Sequence, residues 1–117
     1  MEVRLVGGGE AYGRVEVSYE EMWGTICHDG WGFNDAKVVC RQLGFLGSRH
    51  GFHGNAHFGQ GTGKIWLDNV VCDGNEGNLR LCGHLGWAVG DCNHGKDASV
   101  YCDRGMSICM SVCMVCV

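Results

Sequence analysis

Six cysteines, Cys27, Cys40, Cys72, Cys82, Cys92 and Cys102, run through the patterned part of this chain, and no other feature restricts its fold as much. An even set predicts a disulfide framework, and six half-cystines by themselves leave fifteen pairings open. Such a framework is needed. A single domain of 117 residues buries a modest core against its conformational entropy, and twenty-one glycines with no proline describe a loop-rich fold held by covalent links. Paired cysteines require an oxidising compartment, because cytosolic thiol buffers keep such bonds reduced. The expected location is extracellular, as a secreted protein or the ectodomain of a membrane protein.

Between the cysteines the chain alternates strand and helix signals. Met22 to Cys27 favours a pleated, half-buried surface and reads as a strand. After the turn His28-Asp29-Gly30, Asn34 or Asp35 is positioned to cap a helix that runs to about Leu43. Ala36, Val39, Cys40 and Leu43 share its buried face, Lys37, Arg41 and Gln42 point to water, and Gly44 ends it. Val3 to Gly7 and Arg14 to Tyr19 read as earlier strands, the second with Val15, Val17 and Tyr19 inward and Arg14, Glu16 and Ser18 outward. Residues 46–63, LGSRHGFHGNAHFGQGTG, predict a long irregular loop. Lys64 to Val71 reads as a fourth strand, Asn75 to His84 as a short helix, and Ala98 to Cys102 as a last strand. The sequence therefore predicts an α+β domain in which short hairpins build an antiparallel sheet of five or six strands and one main helix packs across it.

Several classes are excluded. The formal net charge of −4 argues against nucleic acid, which favours a basic surface. No apolar stretch approaches the roughly twenty residues of a membrane span. Residues 1–20 lack a basic start followed by an apolar run, so the expectation is a module excised from a longer protein. No N-x-[ST] sequon occurs, and G-x-S-x-G and H-E-x-x-H are absent, so neither an N-glycan nor catalysis is expected. FGQGTGK lacks the glycine spacing and the Ser/Thr of a phosphate loop.

VRLVGG at Val3, GRVEV at Gly13, WGTIC at Trp23, DAKVVCRQLGF at Asp35, IWLDNVVC at Ile65 and DASVYC at Asp97 together resemble a scavenger receptor cysteine-rich domain. The resemblance covers residues 3–103 and implies a curved antiparallel sheet cradling the helix. It also implies the pairing Cys27 with Cys92, Cys40 with Cys102, and Cys72 with Cys82. Ala11 and Phe45 stand where eight-cysteine relatives carry a fourth bond, which implies the six-cysteine group A.

The family's calcium chemistry gives the site expectations, since calcium seeks six to eight hard oxygens. At the first family position, a pair of acids and a distant third, this chain has His28-Asp29 and Lys96, so Asp29 is expected to be the remnant of a degraded site. At the second, Asp68 with Asn69, Asp91 and an approaching Glu76 keep their oxygens and form the better metal candidate. No cofactor is required, and calcium is the one expected to assist. Asp35 and Asp97 are expected to hold backbone instead. His50, His53 and His57 read as solvated loop histidines rather than a zinc site. Arg41, Arg49, Lys64 and Arg80 are candidate contacts for anionic ligands.

The tail, residues 104–117, departs from the family and reads as an appended segment with free thiols at Cys109, Cys113 and Cys116. Their spacing resembles an iron–sulfur triplet without the barrel such a cluster needs. The functional expectation is a binding module for protein or polyanionic ligands, calcium-assisted, with an innate-immune or adhesion role. The alternative is a non-catalytic targeting module of a mosaic extracellular enzyme, a serine protease or a lysyl-oxidase-like protein. Ligand, parent protein and oligomeric state stay open at this level.

Overall fold

The computed structural model describes residues 1–105. The tail cysteines Cys109, Cys113 and Cys116 lie outside the described residues.

Six strands form one sheet: β1 (Val3–Val6), β2 (Tyr12–Tyr19), β3 (Met22–Ile26), β4 (Gly51–His53), β5 (Ile65–Leu67) and β6 (Ser99–Tyr101). The order is β4-β6-β2-β3-β5, with β1 also paired to β2. β2 and β3 close through Glu20 and Glu21, both at positive φ (52° and 65°), the backbone that primed two-residue hairpins use. Four pairings are antiparallel as expected, but β5 runs parallel to β3, with Thr25 opposite Ile65 and Ile26 opposite Leu67. The sheet is therefore mixed. β4 lies inside the stretch expected to be irregular; its three residues are too few to show periodicity, and pairing with β6 holds them.

The one α-helix among the described residues, α1 (Phe33–Gln42), starts before the expected cap. Gly32 is the cap in extended backbone, and Asp35 reaches back to accept its N–H at 2.8 Å. The other Asp35 oxygen accepts from Cys72 N–H at 2.8 Å, the backbone-holding role expected of it. At the far end Phe45 N–H bonds to Cys40 O and Gly44 N–H to Arg41 O, a Schellman motif that Gly44 permits at φ 93°. Ala36, Val38, Val39 and Cys40 are fully buried against Val15, Val17, Ile26, Leu67, Leu79 and Val100.

The pairings Cys27–Cys92, Cys40–Cys102 and Cys72–Cys82 all form. The last explains why no helix spans Asn75 to His84. Ten residues of helix cover about 15 Å, whereas the Cα atoms of Cys72 and Cys82 are 4.7 Å apart. The chain must reverse there, and it keeps only a 3₁₀ turn, Leu79–Leu81, capped by Asn78.

Glu16 departs from the expected outward pattern, because it is only 7% exposed. Its carboxylate accepts from Arg4 Nε and Nη2 (3.0 and 2.7 Å) and from Arg14 Nε (2.9 Å), and Arg14 continues to Gly59 O at 3.1 Å. The 59–63 segment thus covers the outer sheet face, and the charge is buried with partners. Arg41 and Gln42 also differ from expectation: both are half-buried struts, Arg41 to the carbonyls of Gly74 and Glu76 and Gln42 to Met1 O and Leu79 N–H.

Candidate functional site

The two acidic positions that the sequence keeps apart are brought together. Because β3 and β5 are parallel, both release their C-terminal ends on the same side. Asp29, just past β3, and Asp68, directly after β5, emerge beside the Cys27–Cys92 bond. Their carboxylates and the two sulfurs offer atoms all within 4.8 Å of one another. The sulfurs are consumed by the disulfide, so the carboxylates are the available ligands. Asp68 Oδ2 lies 3.3 Å and Asp29 Oδ2 3.7 Å from the Cys92 sulfur.

Asp68 is 3% exposed, and its Oδ1 accepts from Asn69 Nδ2 at 3.3 Å. A cavity of ≈ 30 Å³ opens beside it, lined by Ile65, Ala88, Val89, Gly90 and Cys92, room for about one water or ion. Gly90 is required there: it takes φ 145°, and a methyl group would strike Asp68 Oδ2. Burial pushes the Asp68 carboxyl above the usual carboxylate range; the Asn69 N–H pulls it back, the Asp29 and Asp91 charges raise it further, and Lys96 opposes them. A cation here would relieve that burial and repulsion, and hard carboxylate oxygens suit calcium. Asp29 is half-buried, its side chain 39% exposed, so water can reach it to complete a shell.

The remaining predicted residues divide. Asp91 is exposed and reaches Asp68 through its charge, while Asn69 touches it directly. Glu76 sits elsewhere, beside the Cys72–Cys82 bond, where its carboxylate accepts from Asp73 and Gly74 N–H. His28 Nδ1 accepts from Asn55 N–H at 2.8 Å, and its Nε2 stands 3.6 Å from Asp29. Of the four candidate cations, Arg41 is committed to its carbonyls; Arg49, Lys64 and Arg80 are exposed on separate segments. The loop histidines are not simply solvated. His50 is buried and accepts from Asp103 N–H at 2.9 Å, with burial holding its imidazole below the ordinary value. His53 and His57 stack at 4.1 Å with Tyr101 edge-on to His53.

Sequence reasoning missed the outer-face group of Arg4, Arg14, Glu16 and Trp23. Arg4 is half-exposed and lies 4.2 Å over the Trp23 ring. The signal existed as a cross-strand pair, Arg4 opposite Glu16, but it needs the β1–β2 register to be read.

Among the described residues, a mixed, curved sheet with one α-helix, three disulfides and this motif set defines a class, and the family model for the scavenger receptor cysteine-rich domain matches residues 6–103. The chain belongs to that family. It is 48% identical over 105 residues to lysyl oxidase homolog 4 of Bos taurus, covering 88% of this chain and 14% of the relative. It is 48% identical to macrophage scavenger receptor types I and II of Mus musculus, covering 86% and 22%. The third such domain of murine neurotrypsin superposes with a TM-score of 0.80 at 46% identity, covering 87% of this chain and 95% of that one. The chain thus spans less than a quarter of these two curated relatives. The class is a non-catalytic, ligand-binding module, and its disulfides and kinship point to an extracellular or ectodomain location.

Proposed function

We propose that this domain, of the six-cysteine group A, binds protein or polyanionic ligands outside the cell, assisted by calcium held between Asp29 and Asp68, in an innate-immune or adhesion role. The observation that carries the reading is the convergence of those two carboxylates beside the Cys27–Cys92 bond, within 4.8 Å. A divalent cation there leaves part of its shell for an acidic group of the ligand. The exposed guanidinium edge of Arg4, oriented over Trp23, supplies a second anionic contact on the sheet face. Calorimetric calcium titration tests the metal: wild type should release or absorb heat that Asp29→Ala and Asp68→Ala abolish and Asp91→Ala weakens. Absent heat in wild type, or unchanged heat in the Asp29 and Asp68 variants, would sink it.

A second reading, a targeting module in a mosaic extracellular enzyme, draws on the match to an oxidase homologue of which this length is 14%. The full-length transcript separates the two, because an adjoining oxidase or protease domain favours the second.

A further inference from the structure

The 59–63 segment, Gly-Gln-Gly-Thr-Gly, has little side-chain mass of its own and is pinned at three points. Gly59 O accepts from Arg14, Gly61 N–H donates to Asp97 Oδ2 at 2.7 Å, and Gly63 O faces His94 Nε2 at 3.0 Å. Two of the three pass through one pair. His94 Nδ1 stands 3.0 Å from Asp97 Oδ2 and 3.1 Å from Oδ1, and Asp97 is fully buried. The oxygens nearest the two ring nitrogens of His94, a carboxylate and a carbonyl, only accept, while the Thr25 hydroxyl stands farther from Nδ1, at 3.4 Å. An imidazolium satisfies both. Either neutral tautomer points one lone pair at an oxygen lone pair about 3 Å away, so one contact must fail.

We propose that His94 is a proton-operated latch, donating as an imidazolium to both Asp97 and Gly63, and that loss of its proton releases the Gly63 carbonyl and loosens the glycine-rich 59–63 segment, leaving the Gly61–Asp97 bond as its remaining tie to the turn at 93–97. The groups packed around it define the balance. From β2 the Arg14 guanidinium repels the imidazolium, from β3 the Thr25 hydroxyl lies 3.4 Å from Nδ1, and the neighbouring Lys96 is exposed. Burial opposes the charged ring most strongly, yet the Gly63 carbonyl and Asp97 together outweigh burial and Arg14, and His94 is held above its ordinary value of 6.5. For a raised histidine the contribution is complete below the unfolded value and is lost as pH rises through the folded one. The latch is thus closed in acid and opens on the alkaline side of 6.5. Its turn also touches the acidic site, since Lys96 O accepts from His28 N–H at 2.8 Å.

The test is a nitrogen-resolved NMR titration of the His94 ring from about pH 5 to about pH 9, with amide exchange of Gly61 followed against Val39 in α1. Both ring nitrogens should be protonated at the acid end, with a midpoint above 6.5. Gly61 protection relative to Val39 should then fall by up to about tenfold for each pH unit by which the midpoint exceeds that value. His94→Gln, with no titrating charge, should erase the pH step at Gly61. A midpoint at or below 6.5, a Gly61 protection ratio that stays flat, or a step that survives in the variant would each overturn the latch. The wild-type titration decides by itself if the variant does not fold.

Discussion

Replacing Cys40 and Cys102 together by alanine isolates what one interlocked staple contributes. The bond joins the buried face of α1 to the end of β6 across a sequence separation of 62 residues. Taken alone, closing a loop of that length restricts the unfolded chain by about 4.3 kcal/mol. It is not alone, because Cys27–Cys92 already crosses the same region. The new ring need only follow thirteen residues from Cys27 to Cys40 and ten from Cys92 to Cys102, about 23 in all, which lowers the contribution to about 3.4 kcal/mol. The lost sulfur contacts at Cys40, fully buried, add about 1 kcal/mol. A small domain has roughly 5–15 kcal/mol of net stability, so the variant should fold with much of its reserve gone. Urea unfolding followed by tryptophan fluorescence measures this, with Trp31 and Trp66 reporting from the core. The slope should also steepen, because the less constrained unfolded chain exposes more surface. Removing Cys27–Cys92 as well should then cost about 4.3 kcal/mol beyond packing, more than the first removal, since no partner ring remains to share the closure. A loss below about 1 kcal/mol, or a second step clearly smaller than the first, would refute the loop-entropy reasoning.

Two further outcomes follow from single residues. Glu16→Ala leaves the Arg4 and Arg14 guanidiniums facing each other with no counter-charge, and Arg14 is 12% exposed, so thermal unfolding should show a loss of about 3–5 kcal/mol; a loss under about 1 kcal/mol would mean the cluster is solvent-screened. The Asp103 carboxylate accepts from Gly105, Arg49 and Ser48 N–H, which hold its pKa below the ordinary 3.8. Its contribution is therefore present above that value and lost as pH falls through the lower one. Ser48 and Arg49 amide signals should titrate below 3.8 and lose the transition in Asp103→Asn, and a midpoint at or above 3.8 would contradict the geometry.

Where structure followed local chemistry, the sequence sufficed. The 3.6-residue spacing of Ala36, Val39 and Cys40 and the glycine at 44 marked α1 within a residue or so, since periodicity and a left-handed C-terminal turn are properties of neighbouring residues. β1, β2 and β3 were legible for the same reason, and the six cysteines announced a stapled domain whose pairing came from the family resemblance. What tertiary structure decided was everything that depends on which strands meet. The parallel pairing of β5 with β3 places Asp29 beside Asp68, where an antiparallel pairing would have sent them to opposite ends of the sheet. The Arg4 and Arg14 side chains laid over Glu16, Arg14 itself held by Gly59 O, turned it from a solvent residue into a buried one. The ten-residue Cys72–Cys82 closure removed a helix that local pattern favoured. Pattern in a sequence records how a residue faces its own element. The partner across the sheet, the loop above it and the charge beside it are set by contacts tens of residues away, and these determined the acidic site.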